Sequence, residues 1–332
     1  MKAIRQYEFG GPEQLRYEEI ADPEPGDRQV RIAVDVAGVH FVDTTIRRGV
    51  SFGAFPSPAL PMIPGREVAG TVDRLGPDAD ASLLGHRVVV HLGMASGGYA
   101  SAAVADADTL FPLPEGVDAA EAVAMVGTGR TTLGILEVAR PRPDDVVLVT
   151  AAAGGVGALL VQAARATGAF VVAAARGANK VAVAERLGAD VTIDYAAGRW
   201  APEPWTDRVR EALAGRPVTL ALDGVGGEIG RAAFDLVAPG GRMVVFGYAS
   251  GTQLPLDADD LYSSGVTVAA GIGARIMSRP GGIRDLSAKA LDELTAGRLK
   301  PLVNAPFALA DAAEAHRAIE ARETIGKVVL VP

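Results

Sequence analysis

An apolar, β-branched run, Val146-Val-Leu-Val-Thr150, ends in Ala151-Ala-Ala-Gly154-Gly155-Val156-Gly157, and a helical pattern starts at once with Ala158, Leu159, Val161 and Ala164. Strand, tight turn and helix in that order place the turn at a helix N-terminus. The free N–H groups and the dipole there favour an anion, and glycines let the backbone come close to it. Read as G-x-G-x-x-G, the pattern falls on Ala152, Gly154 and Gly157, with alanine in the first place. Gly154, Gly155, Val156 and Gly157 are therefore expected to carry a pyrophosphate. A glycine-rich turn without a ligand is the competing reading.

The next strand bears on which dinucleotide. Residues 170–175, Phe-Val-Val-Ala-Ala-Ala, read as the second parallel strand. NAD-binding units place Asp or Glu at the end of this strand, on the ribose 2′-hydroxyl. Here the strand runs into Arg176, Lys180 follows, and no carboxylate appears between Gly154 and Glu185. Two cations and no anion suit a 2′-phosphate, so NADPH is expected over NADH. Cations at a helix N-terminus oppose its dipole, which weighs against two ordinary solvated residues.

Composition excludes several classes of function. The chain has 332 residues, long for one core and short for three domains. A formal net charge of −8 argues against nucleic acid or an anionic membrane as partner. There is no cysteine, which removes disulfides, thiolate nucleophiles and every cysteine-based zinc site. Met1-Lys-Ala-Ile-Arg-Gln lacks an apolar leader and no stretch approaches a membrane span, so a cytoplasmic protein is expected.

Along the chain, three blocks separate. Up to about residue 120 the pattern is β-rich and irregular, with strand-like runs at 29–36, 67–75 and 86–91. From 121 to 270 short apolar strands at 146–150, 170–174, 191–193, 218–222, 242–246 and 266–270 alternate with helices such as 181–187 and 228–237. Continuous β-branched runs fit a parallel sheet buried on both faces, in a doubly wound α/β arrangement. Residues 271–332 hold a helix at 284–296 and a closing strand at 327–331, whose partner is expected in the first block. The uncharged, proline-free run 265–271 reads as the outermost strand, an open edge that a second copy would cover, so a homodimer is expected.

Several segments together resemble the zinc-independent quinone oxidoreductase (zeta-crystallin-like) branch of the medium-chain dehydrogenase/reductase superfamily. They are Gly38-Val-His-Phe-Val-Asp43 with Ile46-Arg-Arg-Gly49, Ile63-Pro-Gly-Arg-Glu67 with Ala69-Gly70, the loop 151–157, Leu222-Asp-Gly-Val-Gly226 and Val245-Phe-Gly-Tyr-Ala-Ser-Gly251. The resemblance covers nearly the whole chain. It implies a Rossmann domain (121–270) inserted in a β-rich, GroES-like catalytic domain (1–120 and 271–332), and an NADPH-dependent reductase of a small quinone or enone. The superfamily's zinc-ligand places fall on His40, Arg66 and Thr128, a set that cannot make a zinc site, so no metal is expected. Without a Lewis acid, a conjugated acceptor that delocalises its own developing charge is the favoured substrate.

The resemblance also implies roles. Tyr195 would lie near the 2′-phosphate with Arg176 and Lys180; a half-buried tyrosine at a strand end is the alternative. Thr131 would lie near the cofactor, or else cap a helix. Phe246 and Gly247, at the carboxyl end of a strand, sit where open α/β sheets bind ligands, and Lys327 would approach the cofactor. His40 stands where the branch commonly has Asn. It could donate to a substrate oxygen or deliver a proton, with Asp43 orienting it, or it could bond to Glu67 as a structural residue. The tyrosine of this segment in the branch is replaced by Thr45. Phe52 and Phe55, in a Pro/Gly-rich stretch at 50–58, are candidates for the substrate mouth. Arg47, Arg48 and Arg66 keep open an enoyl-thioester substrate on an acyl carrier, and an NADPH-binding adaptor without turnover is a third reading.

Overall fold

The computed structural model describes residues 1–50, 58–93, 96–196 and 204–332. Phe52 and Phe55 lie outside the described residues. The chain forms two compact units, Met1–Gly129 with Ser287–Pro332, and Arg130–Leu286. In chain order the strands are β1 (Lys2–Arg5), β2 (Arg16–Glu19), β3 (Gln29–Val39), β4 (Glu67–Leu75), β5 (Arg87–His91), β6 (Ala102–Asp106) and β7 (Phe111–Pro112). They continue as β8 (Val146–Val149), β9 (Phe170–Ala175), β10 (Val191–Asp194), β11 (Val218–Asp223), β12 (Val237–Val245), β13 (Thr267–Ala270), β14 (Phe307–Ala308) and β15 (Val328–Val331). The helices are α1 (Phe41–Arg47), α2 (Ala119–Ala124), α3 (Arg130–Ala139), α4 (Gly155–Ala166), α5 (Ala178–Arg186) and α6 (Trp205–Leu213). After them come α7 (Gly227–Phe234), α8 (Ala258–Ser264), α9 (Ala274–Met277), α10 (Gly282–Thr295) and α11 (Ala312–Glu320).

The second unit is a parallel sheet in the order β10-β9-β8-β11-β12-β13. Successive side chains enter opposite cores. Val147, Val149, Val171, Ala173, Leu220 and Leu222 pack with Leu160 and Val161 of α4. Leu148, Val172, Ala174, Ala221 and Met243 pack with Val209 and Leu213 of α6 on the other face. Burial on both faces is why these strands read as unbroken apolar runs. The order reverses between β8 and β11, the place where doubly wound sheets bind ligands. The largest departure from an expected strand span is in β12. β12 begins at Val237, not 242, because its register jumps: Val237 pairs with Val218, and Arg242 with Leu220.

The first unit is mainly an antiparallel sheet, β14-β15-β3-β4-β5-β7, with β6 also paired to β3. The closing strand returns to the first block, with Val328 opposite Val39 and Val329 opposite Gly38. The units part at Gly129/Arg130 and Leu286/Ser287, later than the 120/121 and 270/271 read from the sequence. Packing explains both offsets. Ala122, Val123 and Val126 share a core with Ala69, Val89 and Val329 of the first unit. Residues 271–286 stay with the second, where Arg279 pairs with Glu137 at 2.7 Å.

A buried polar chain anchors α1 to α11. The Arg47 guanidinium, 2 % exposed, meets His316 Nδ1 at 3.2 Å and Glu320 at 2.7 Å. Arginine only donates, so Nδ1 accepts and the His316 proton sits on Nε2. That N–H donates to Tyr99 Oη at 3.1 Å, and the Tyr99 hydroxyl donates to Asp43 Oδ2 at 3.2 Å. Asp43 also accepts the His40 backbone N–H at 2.8 Å, which caps α1 and fixes where its first residues point.

Burial holds the His316 imidazole down at about 4, with Arg47 pushing the same way and Asp43 opposing. In the unfolded chain it titrates near ~6.5. The unfolded state thus binds the extra proton first as pH falls. The contribution is whole above pH ~6.5 and lost toward the folded value, roughly 3 kcal/mol in all. Urea denaturation at pH about 7.5 and about 4.5 should show the wild type losing more stability than His316→Gln, which keeps a donor and an acceptor but does not titrate. Equal losses would refute the assignment.

Candidate functional site

In the first unit, His40 precedes α1 in an extended conformation and Glu67 opens β4. Lys327 lies just before β15, its backbone held by Leu302 and Asn304 on one side. These three side chains converge. His40 Nε2 is 2.6 Å from Glu67 Oε1 and 2.9 Å from Lys327 Nζ, and Nζ donates to Glu67 Oε2 at 2.6 Å. Glycines make the room. A Cβ at Gly127 would lie 1.4 Å from Glu67 Oε1, and one at Gly38 would lie 2.5 Å from Oε2. Gly127 belongs to a π-helical turn, Met125–Gly129, a form of helix frequent at functional sites.

Electrostatics in this cluster run against burial. Desolvation pushes the Glu67 carboxyl up, but His40 and Lys327 hold it well below the usual carboxylate range. Burial lowers both His40 and Lys327, and Glu67 partly restores each. The Asp43 carboxylate does not meet the imidazole as expected from the sequence: it receives the His40 backbone N–H and the Tyr99 hydroxyl, and Glu67 meets the ring instead. Lys327, expected at the cofactor, is 3 % exposed and paired with Glu67.

A metal does not fit these residues. The places named from the resemblance hold one imidazole, already in contact with a carboxylate and an amine; a guanidinium, Arg66, 3.5 Å from Asp43; and the Thr128 hydroxyl. One ligand beside two cationic groups cannot make a tetrahedral site. Arg47, proposed as part of a carrier-binding patch, is instead core, because α11 supplies Glu320 and His316 to it.

In the second unit, Gly154 precedes α4 and the N–H groups of Gly155, Val156 and Gly157 form its first turn, where intrahelical acceptors are missing. No acidic residue lies in that turn, so its field is left open for an anion. Gly157 has to be glycine: a Cβ there would meet the Ala151 carbonyl oxygen at 2.3 Å. Arg176 follows β9 and is exposed, and Lys180 lies in the first turn of α5. A carboxylate does come near, contrary to the sequence reading: Asp194, from the neighbouring strand β10, pairs with Ala175 in the sheet. Its Oδ1 is taken by the N–H groups of Gly177, at 2.8 Å, and Ala196, at 2.9 Å. Tyr195 is half-buried, its ring edge-on to Trp205. Thr131 is the second residue of α3, preceded by the π-helical turn, so it does not cap a helix.

Phe246 and Gly247 follow β12 and lie against the turn after β11. A Cβ on Gly224 would be 2.5 Å from the Phe246 ring, and one on Gly247 would be 2.8 Å from the Gly224 oxygen. That turn depends on two residues to which no role was given from the sequence. Asp223, fully buried, accepts from the Thr150 hydroxyl at 2.6 Å and from Val225 and Gly226 N–H at 3.0 Å. Thr150 in turn accepts from Gly224 N–H at 3.0 Å. An Asp between an apolar strand and Gly-Val-Gly was the available signal.

Comparison with known proteins places the chain in a family. Residues 26–115 match the family described as alcohol dehydrogenase GroES-like domain, and residues 155–294 the family described as zinc-binding dehydrogenase. A quinone oxidoreductase of Pseudomonas aeruginosa is 33% identical, over 100% of this chain and 99% of its own. The chain belongs to the quinone oxidoreductase branch of the medium-chain dehydrogenase/reductase superfamily. A 2-haloacrylate reductase of Burkholderia sp is 31% identical over 97% of this chain and 96% of its own. The Escherichia coli quinone oxidoreductase structure, complexed with NADPH, superposes with a TM-score of 0.86 at 30% identity, covering 100% of both chains. Among the described residues no helix is long and apolar enough to cross a membrane.

Proposed function

We propose that this NADPH-dependent oxidoreductase reduces quinones or α,β-unsaturated carbonyls, without a metal. The observation that carries this reading is the His40–Glu67–Lys327 cluster. Where a metal dehydrogenase needs three ligands the chain has an imidazole, a guanidinium and a hydroxyl, and the imidazole is already engaged by a carboxylate and an amine. A simple carbonyl lacks the polarisation it would need, whereas a conjugated acceptor spreads the developing charge over its own π system. Relatives named for quinones and for a haloacrylate, itself an activated alkene, support the same substrate class.

NADPH, when bound, supplies the hydride. The chain's residues do the rest. The N–H groups of Gly155, Val156 and Gly157, after Gly154, hold the pyrophosphate. Arg176 and Lys180 take the 2′-phosphate, with Tyr195 beside them. Thr131 and the backbone at Phe246 and Gly247 border the nicotinamide. His40 donates to the substrate oxygen or delivers the proton. The acyl-carrier reading loses Arg47, which is buried against Glu320. NADPH oxidation with a panel of quinones, enones and enoyl-CoA esters separates these substrates from one another and from an adaptor without turnover.

Arg176→Ala should raise the NADPH dissociation constant at least about tenfold, the worth of one charge-assisted hydrogen bond, and leave that of NADH nearly unmoved. Equal wild-type affinity for both cofactors would overturn the preference. His40→Ala should lower kcat by about 100-fold with cofactor affinity intact, and His40→Asn should recover much of the loss. An alanine variant with unchanged turnover would make His40 structural.

We also propose a homodimer through β13, the edge of its sheet. Among the described residues no strand pairs with its outer side, and Tyr262 in the preceding helix is 86% exposed. Light scattering should give twice the chain mass, and Thr267→Lys with Val268→Pro should halve it. A monomeric wild type at micromolar concentration would refute this.

A further inference from the structure

His40 Nε2 carries two short contacts, to Glu67 Oε1 at 2.6 Å and to Lys327 Nζ at 2.9 Å. One ring nitrogen presents either a proton or a lone pair, never both. If it presents a lone pair, the lysine ammonium can donate to it, but the Glu67 oxygen then faces a bare nitrogen at 2.6 Å. If it presents a proton, the nearest acceptor is Glu67 Oε1, a buried oxygen 2.6 Å away with no hydrogen-bond partner of its own among the described residues, and Lys327 must turn a lone pair toward the ring, which only a neutral amine has. A fully buried carboxylate still needs one positive partner to balance it. With Glu67 ionised, a single charge-balancing proton is therefore left for two nitrogens.

We propose that Lys327 and His40 share that one proton above Glu67, so that Lys327 is the positioning residue that keeps His40 supplied as the proton donor of the reductase reaction. The proposal rests on the reductase reading above. His40 is the outlet: its side chain is 22 % exposed, against 3 % for Lys327 and 0 % for Glu67. When a hydride from NADPH reaches the β-carbon of an activated alkene, the electron pair of the C=C bond moves onto the carbonyl as an enolate. The His40 N–H bond then breaks, a C–H bond forms at the α-carbon, and NADP⁺ is left. The pair has lost its proton and regains one from water. Other charges face the cluster. Asp43 acts on His40 and Lys327, Arg66 on Lys327, and His91, opposite Glu67 in the sheet, on the carboxylate. The titration belongs to the pair and not to either residue.

Arginine tests the idea because it keeps the charge and cannot give up a proton. Nitrogen-15 NMR of the full-length protein without substrate reads the protonation of each imidazole. The chain has 4 histidines, so a comparison with His40→Asn assigns His40. Burial alone would leave the ring neutral near pH ~7, so partial imidazolium character of the His40 nitrogens in the wild type is the mark of the shared proton. In Lys327→Arg they should shift to the neutral pattern, with kcat falling at least about tenfold while NADPH affinity is kept. Lys327→Met, which leaves one nitrogen for the proton, should move the basic limb of the kcat/KM profile down by about one pH unit or more. A wild-type His40 that is wholly neutral at pH about 7, or Lys327→Arg with wild-type shifts and pH profile, would overturn the proposal. The wild-type spectrum needs no turnover, and a variant enters only in its assignment. A shared-proton spectrum without turnover on any acceptor would count against the reductase reading, and turnover with a neutral ring against the shared proton.

Discussion

The first unit is organised around a carboxylate that has no water to solvate it. Glu67 is fully buried, and a buried charge survives only where partners surround it. Lys327 and His40 are those partners, and their positions follow from the sheet: β15 and β4 flank β3, which runs into His40. The cost in space is borne by Gly38 and Gly127, where any side chain would strike the Glu67 oxygens. The same carboxylate therefore accounts for two glycines, a half-buried histidine and a buried lysine that have no common sequence pattern.

A second buried carboxylate has the corresponding place in the Rossmann unit. Asp223 ends β11, which adjoins β8 where the strand order reverses. Through Thr150 it joins the last residue before the glycine loop to the turn after β11. The end of β8 and the turn after β11 are thereby held together by one residue. Its oxygens are satisfied by short neutral donors, one hydroxyl and two backbone N–H groups, whereas Glu67 faces groups that carry or exchange protons. The two carboxylates differ in role because their donors differ.

What could be read from the sequence depended on whether the physics was local. The strand, glycine turn and helix at 146–166 were legible because the apolar run, the turn and the helical period are contiguous. The edge position of β13 was legible because it is the sixth and last strand of the alternating block. The start of β12 was not, since a register jump over Ala238–Gly241 leaves no pattern of period two. Asp194 was missed for a topological reason: a parallel neighbour brings a residue 18 positions downstream of Arg176 beside the end of β9. Arg47 read as a surface cation beside Arg48. Only the return of α11, with His316 and Glu320, shows that it is buried. No local signal marks Tyr99 or His316, whose hydrogen bond spans 217 residues.

A cation carried by the chain is a different device from a bound metal. The Lys327 backbone is fixed on one side through Leu302 and Asn304, and β15 beyond it is in register with β3. Because side chains alternate along a strand, a slip of one residue would turn Lys327 to the opposite face, so register alone sets where its amine stands. A zinc ion polarises an oxygen without changing its own charge. An amine pressed between an imidazole and a carboxylate can pass its charge on as a proton, and a substrate that gains a hydride ends up needing one. The absence of cysteine rules out the thiolate ligands of a metal dehydrogenase, and the sheet register supplies in their place a group whose charge can move.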